Sequence, residues 1–149
     1  MKSLVVYYSR TKTTEILAEV IAGRVNADVE EIIPKVKYQG KIGYARGGKD
    51  AMREKIIDLE SLKFDPSEYD VVYVGGPVWA SRIANPVISY LKQNEGKFNN
   101  VKFFATAKTS GFDSAFIQME KFSIKPLNTL GLKTKEVRKS EYDIDSFIN

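Results

Sequence analysis

The feature that most constrains this chain is a repeated order: an apolar strand, a short polar or glycine-bearing turn, then an amphipathic helix. Leu4-Val5-Val6-Tyr7-Tyr8 shows no polar–apolar alternation, so it reads as a strand covered on both faces. The turn Ser9–Thr14 follows, and Glu15–Val25 carries Ile16, Leu17, Val20 and Ile21 at helical spacing. Asp28–Ile33 reads as a short strand stopped by Pro34. Asp70–Gly76 is expected to be the central strand, Val101–Thr106 a fourth and Leu132–Val137 the last. Pro86–Asn94 starts with a proline suited to a first helical turn and sends Val87, Ile88 and Leu91 to one side. Asp113–Phe122 has the spacing of a further helix, with Asp113 as its cap. About four such alternations imply an α/β fold. Its parallel sheet has crossover helices on both faces, joined by right-handed connections.

Two stretches are less regular. Lys35–Lys49 reads as a long, basic, glycine-bearing loop, followed by a helix over Asp50–Leu59 with Met52, Ile56 and Leu59 inward. Pro77–Asn85 reads as a second irregular loop, and Ile144–Ile148 as a short closing helix or tail. No repeat, low-complexity tract or interdomain linker interrupts the pattern, and 149 residues fit one domain.

Composition removes several kinds of chemistry. There is no cysteine, which excludes disulfides, thiolate catalysis and cysteine metal sites. Histidine is also absent, so the usual general base and the commonest nitrogen ligand are missing. Redox chemistry on such a chain would need a bound organic cofactor. No charged start leads into an apolar leader and no run approaches the length of a membrane span, so a cytoplasmic protein without membrane insertion is expected.

In an open parallel sheet, ligands bind outside the carboxyl ends of the strands, where strand order reverses. Three turns are expected there: Ser9–Thr14, Gly75–Asn85 and Ala107–Asp113. The first sets four hydroxyls, from Ser9, Thr11, Thr13 and Thr14, against the start of a helix. Orphan backbone N–H groups and the positive end of the helix dipole make that point a phosphate site. Arg10 and Lys12 add positive charge nearby. Hydroxyls also cap helices in any protein, and that reading of Ser9 and Thr11 stands beside the first.

On these residues the chain resembles the flavodoxin superfamily, of the short type, across essentially its whole length. Ser9-Arg10-Thr11-Lys12-Thr13-Thr14 matches the family's phosphate loop, which normally reads Thr/Ser-x-Thr-Gly-x-Thr. Gly75-Gly76-Pro77-Val78-Trp79-Ala80 is similar to the loop whose aromatic residue flanks the flavin. Ala107-Lys108-Thr109-Ser110-Gly111 is similar to the third flavin-contacting loop. The resemblance implies a three-layer open sandwich with a five-stranded parallel sheet in order 2-1-3-4-5. It also implies bound FMN and electron transfer to a redox partner protein or a small quinone-like acceptor. Ser9 to Thr14 would hold the terminal phosphate, and Trp79 would lie against the ring, its other reading being a core or interface tryptophan. The backbone of Val78, Trp79 and Ala80, with Thr109, Ser110 and Gly111, would meet the flavin's polar edge, and Pro77 is a further cofactor-binding candidate. Ser110 and Gly111 read equally as ordinary turn formers. Tyr142 is a candidate for the second ring face, while Tyr7, Tyr8 and Tyr73 are expected to be packed core.

Two departures from the family pattern matter. Lys12 stands where the family loop has glycine. A positive φ there would strain it by ~1 kcal/mol or more and weaken FMN binding, whereas a helical φ would leave a harmless extra cation. The balance is also basic, with 23 Lys and Arg against 19 Asp and Glu. Pro34–Lys55 is a solvated face, a docking surface or a mobile lid over the flavin edge. Arg82 and Lys108 in the flavin loops would favour the reduced anion of the flavin. The alternative to an electron-transfer protein is a flavodoxin fold without cofactor, serving as a binding module. No nucleic-acid module accompanies the basic segment, so no specific nucleic-acid partner is expected, and the oligomeric state stays open.

Overall fold

Side chains leave the first strand, β1 (Ser3–Tyr7), alternately to opposite faces, as the two-residue period requires. Leu4, Val6 and the following Tyr8 enter one buried cluster, and Val5 and Tyr7 enter another. This computed structural model describes residues 1–38 and 40–149 of the protein. Leu4, Val5 and Val6 are wholly buried, each burial contributing about 1.5–3 kcal/mol before the entropy of ordering is counted.

After β1 come α1 (Thr13–Val25), β2 (Asp28–Glu31) and α2 (Gly40–Met52). Then follow β3 (Val71–Trp79), β4 (Arg82–Ile83), α3 (Asn85–Gln93) and β5 (Val101–Ala107). The chain closes with α4 (Phe112–Lys121), β6 (Thr129–Lys133), α5 (Thr134–Lys139) and α6 (Asp145–Ile148). Five strands pair in parallel in the order β2-β1-β3-β5-β6, with β4 antiparallel to the end of β3. Leaving out the two-residue β4, this is the expected order 2-1-3-4-5. α3 and α4 cover the face of Leu4 and Val6, while α1, α5 and α6 cover that of Val5 and Tyr7. No described helix is long and apolar enough to cross a membrane.

Several local expectations are corrected. The stretch read as a loop over Lys35–Lys49 contains α2, and the helix expected over Asp50–Leu59 ends at Met52 instead (Gln39 lies outside the described residues). Met52 and Ile56 are exposed rather than inward. On α1 the buried apolar residues are Leu17, Ala18, Ile21 and Ala22, so the inward stripe is turned away from Ile16 and Val20. The last strand stops at Lys133, and Thr134–Lys139 coils into α5, started by Glu136 accepting the Lys133 N–H at 2.8 Å. α4 starts after Gly111 in a left-handed conformation, so Asp113 sits in its first turn and is not its cap.

Pro77–Asn85 is ordered as a hairpin, not an irregular loop. Trp79 pairs with Arg82, and Ala80 and Ser81 between them have φ of 51° and 63°. Two positive φ values in a two-residue loop are those of a type I′ turn, which usually selects Asn and Gly. Ala and Ser hold it at a cost, and that cost sits at the sheet's carboxyl edge.

Candidate functional site

At that edge the ends of β1, β3 and β5 surround a cleft of about 400 Å³. Its lining is Arg10 and Thr11 from the first turn with Thr13 and Thr14 at the start of α1, Pro77, Val78 and Trp79 from β3, and Thr106 and Ala107 from the end of β5 with Lys108 just after it. Tyr44 of α2 and Thr134 and Arg138 of α5 complete it. This volume lies within the range of small-molecule and cofactor pockets.

One end of the cleft is the amino end of α1. Glu15 donates its N–H to the Ser9 hydroxyl at 3.3 Å and Ile16 donates to the Lys12 carbonyl at 3.0 Å. Among the described residues, the amides of Lys12, Thr13 and Thr14 have no acceptor, as expected for donors at a helix start. Ser9 thus caps the helix, leaving the phosphate-type donors to the residues after it. Thr13 and Thr14 are both buried, and their hydroxyls are already placed. Thr14 shares a 2.8 Å hydrogen bond with Thr106, and Thr13 accepts one from Arg138 at 3.1 Å.

Lys12 has φ 70° and ψ −11°, the left-handed conformation that glycine adopts freely. Its side chain is exposed and does not line the cleft. The backbone holds this conformation with the site's amides free, so the strain of about 1 kcal/mol weighs on folding rather than on ligand binding. Arg10 also differs from expectation. Its Nε donates to the Tyr38 carbonyl at 2.8 Å and its Nη2 to the Gly40 carbonyl at 3.1 Å, and the guanidinium lies 5.1 Å from the Tyr44 ring centre. Arg10 therefore anchors the entry to α2 through these two carbonyls.

The other end is aromatic. Trp79 is half-buried, set edge-on to Tyr8 at 5.6 Å and to Tyr38 at 5.3 Å between ring centres. It is a packed residue that still presents surface to the cleft. α2 comes down against it at Gly47, where a Cβ would stand 2.8 Å from the indole. Tyr38 donates to Asp50 at 2.7 Å and accepts from Asn85 at 3.0 Å, which ties α2 to α3 beneath the tryptophan. Burial and the Asp50 carboxylate push its hydroxyl up to about 12 against the opposing Asn85 contact, so it stays protonated. Burial likewise raises Tyr8.

The third turn contributes less than expected. Ala107 and Lys108 line the cleft, but Thr109 and Ser110 are exposed and do not. Gly111, at φ 99°, packs under Val78 and Ser81 as the start of α4. Ala80 is in the exposed hairpin turn, outside the lining. Arg82 points to Glu54 at 3.8 Å and also lies outside it. Tyr142 packs with the α1-side core rather than near the cleft. The sequence reading missed Tyr44, Thr106, Thr134 and Arg138. For Tyr44 the signal was the spacing of Gly40, Gly43 and Gly47, which lies on one helical face.

The flavodoxin family model matches residues 2–125, and with the sheet order and the three strand-end turns this decides the family. The chain belongs to the flavodoxin family. Thr134 and Arg138 of the cleft lie beyond the matched residues. Comparison with curated proteins found no match. Among solved structures, a putative flavoprotein from Bacteroides uniformis ATCC 8492 superposes with a TM-score of 0.80 at 24% identity, over 94% of this chain and 97% of that one. One from Bacteroides eggerthii DSM 20697 gives 0.76 at 25%, over 97% and 96%. The flavoprotein of Lactobacillus acidophilus NCFM, solved in complex with FMN, gives 0.76 at 19%, over 95% and 99%. All three are matched over almost their full length.

Proposed function

We propose that this chain binds FMN in the strand-end cleft and passes electrons through it, as a carrier or by reducing a quinone-like acceptor. The observation that carries this is one cleft with two unlike ends: free amides and buried hydroxyls at Lys12–Thr14, and an aromatic wall at Trp79 and Tyr44. A flavin mononucleotide has the same two ends. Thr11, Thr13 and Thr14 would hold its phosphate, with the amides of Lys12 to Thr14. Trp79 and Tyr44 would hold its ring, with Pro77, Val78, Ala107 and Lys108 at the border. FMN supplies one- and two-electron chemistry that a chain without cysteine has no thiol couple to provide. The polypeptide's part is to bind the flavin, exclude water from one side and set the surrounding charge.

Ser9, Ala80, Thr109, Ser110 and Gly111 act in this reading as supports of the cleft rather than as direct contacts, and Arg10 lines it while holding the entry to α2. The cofactor-free module draws its case from the basic Pro34–Lys55 surface and from Lys12, whose φ of 70° is the strained outcome. Against it, among the described residues the amides of Lys12 to Thr14 stay free in that conformation, and the lysine side chain stays clear of the cleft. A cytoplasmic setting goes with the electron-transfer reading.

The test is a titration of purified protein with FMN, followed by flavin fluorescence and visible absorbance. Saturable binding in the micromolar range or tighter, with shifted flavin bands, is the expected result. Unchanged spectra at tens of micromolar would overturn the proposal and favour the binding module.

A further inference from the structure

A terminal phosphate carries up to two negative charges, and the donors at the start of α1 are neutral. The first turn of that helix also carries Glu15, whose carboxylate accepts from the Tyr7 hydroxyl at 3.1 Å. A cation facing this turn would therefore govern affinity. Arg10 is committed to two carbonyls and the Tyr44 ring, and Lys12 does not line the cleft.

Of the cations that line the cleft, Arg10, Lys108 and Arg138, Arg138 is the one hydrogen-bonded to this turn among the described residues. Its Nη2 donates to the Thr13 hydroxyl at 3.1 Å and reaches the Thr11 carbonyl at 3.5 Å, so the loop itself holds the guanidinium. Among the described residues no carboxylate pairs with Arg138, and Nε and Nη1 have no acceptor. A guanidinium with one nitrogen on the loop keeps N–H donors on the other two, in the fork geometry that suits phosphate. The helix that delivers it is fastened at both sides. Thr134 donates to the Ala107 carbonyl at 3.3 Å, and Val137 is buried in the α1-side core. Thr134 and Arg138 are four residues apart and so share a helix face, the one turned to the cleft.

We propose that Arg138 is the phosphate-binding cation of this cleft and makes it select the phosphorylated flavin over riboflavin. The inference rests on the FMN reading above and adds a residue from outside the segment matched to the family. It assigns to α5 a direct part in ligand recognition.

The experiment compares wild type, Arg138→Gln and Arg138→Lys in titrations with FMN and with riboflavin at low and moderate salt. Far-ultraviolet circular dichroism checks the fold; the arginine is exposed, so the variants should keep it. Loss of a charge-assisted contact predicts a drop in FMN affinity of about tenfold or more in Arg138→Gln, with riboflavin affinity unchanged. Arg138→Lys should recover part of the loss, and the salt dependence of FMN binding should flatten in Arg138→Gln. The ³¹P resonance of bound FMN should also move in Arg138→Gln. Equal losses for both flavins, or no loss for either, overturn the role of Arg138 while leaving FMN binding intact. Wild type that binds neither flavin overturns the FMN reading and this inference with it.

Discussion

The hydroxyls of Thr14 and Thr106, 92 positions apart in the chain, meet at 2.8 Å inside the protein. Their bond joins the first turn of α1 to the end of β5, across the strand β3 that lies between β1 and β5. It holds two walls of the cleft at a set separation. Either atom serves as donor, so each hydroxyl depends on the other. Replacing Thr14 or Thr106 alone with Val leaves one buried hydroxyl unpaired and should cost about 1–3 kcal/mol. The double variant should lose less than the sum of the two singles, because no orphaned group remains. Urea unfolding of the four proteins measures this, and strict additivity would show that the pair is not coupled.

Lys12→Gly should stabilise the protein by up to about 1 kcal/mol, since glycine takes the φ of 70° without a Cβ clash. FMN affinity should change by less than about threefold, because the strain is carried by the folded chain whether or not ligand is bound. Thermal unfolding and flavin titration together give both numbers. A protein that binds FMN only after this substitution would return support to the cofactor-free module.

Gly47 is where α2 touches Trp79, and an added Cβ would sit 2.8 Å from a rigid indole carbon. Gly47→Val should push the helix or the tryptophan aside and cost roughly 1–3 kcal/mol. As this is the chain's single tryptophan, its emission reports the displacement directly. FMN affinity should fall along with the emission shift. An unchanged emission maximum with unchanged affinity would mean that α2 gives way without disturbing the aromatic wall.

Lys108 lines the cleft, whereas Arg82 is turned to Glu54 at 3.8 Å outside it. The two loop cations should therefore act differently on flavin potential, contrary to the equal roles their positions in sequence imply. Lys108→Gln should lower the midpoint of flavin reduction by about 20–40 mV, since it removes charge that favours the reduced anion. Arg82→Gln should leave it within a few millivolts. Spectroelectrochemistry at matched ionic strength compares them, and equal shifts in both would place Arg82 near the ring after all.

Much of this architecture was legible in local pattern. The unbroken apolar run Leu4–Tyr8 and the strands before Gly75 and Lys108 marked a parallel sheet, and the hydroxyl turn after β1 marked its anion end. These signals survive because they depend on neighbours along the chain: a period of two or 3.6, or a run without alternation. α2 did not survive that test. Its glycines at positions 40, 43, 47 and 48 are poor helix formers, and close packing of Gly43 on Tyr38 and of Gly47 on Trp79 outweighs their propensity. The same packing sets Tyr44 on the rim. The hairpin at Ala80 and Ser81 was equally hidden, because its type I′ turn is built without the Asn and Gly that announce one.

By itself, then, the sequence determined the five parallel strands, the helices α1, α3 and α4 between them, and the turns at the carboxyl edge, but not α2, α5 or the inward face of α1. Each of these follows from interactions between residues close in the chain. Which side chains share the cleft was decided only by the tertiary structure. Sheet order brings Thr14 to Thr106, and the last crossover lays α5 beside α1 so that Arg138 reaches Thr13. Such contacts join residues 92 and 125 positions apart, and no local period encodes them. They depend on which strands pair and how helices pack over them, which the core of the whole chain decides.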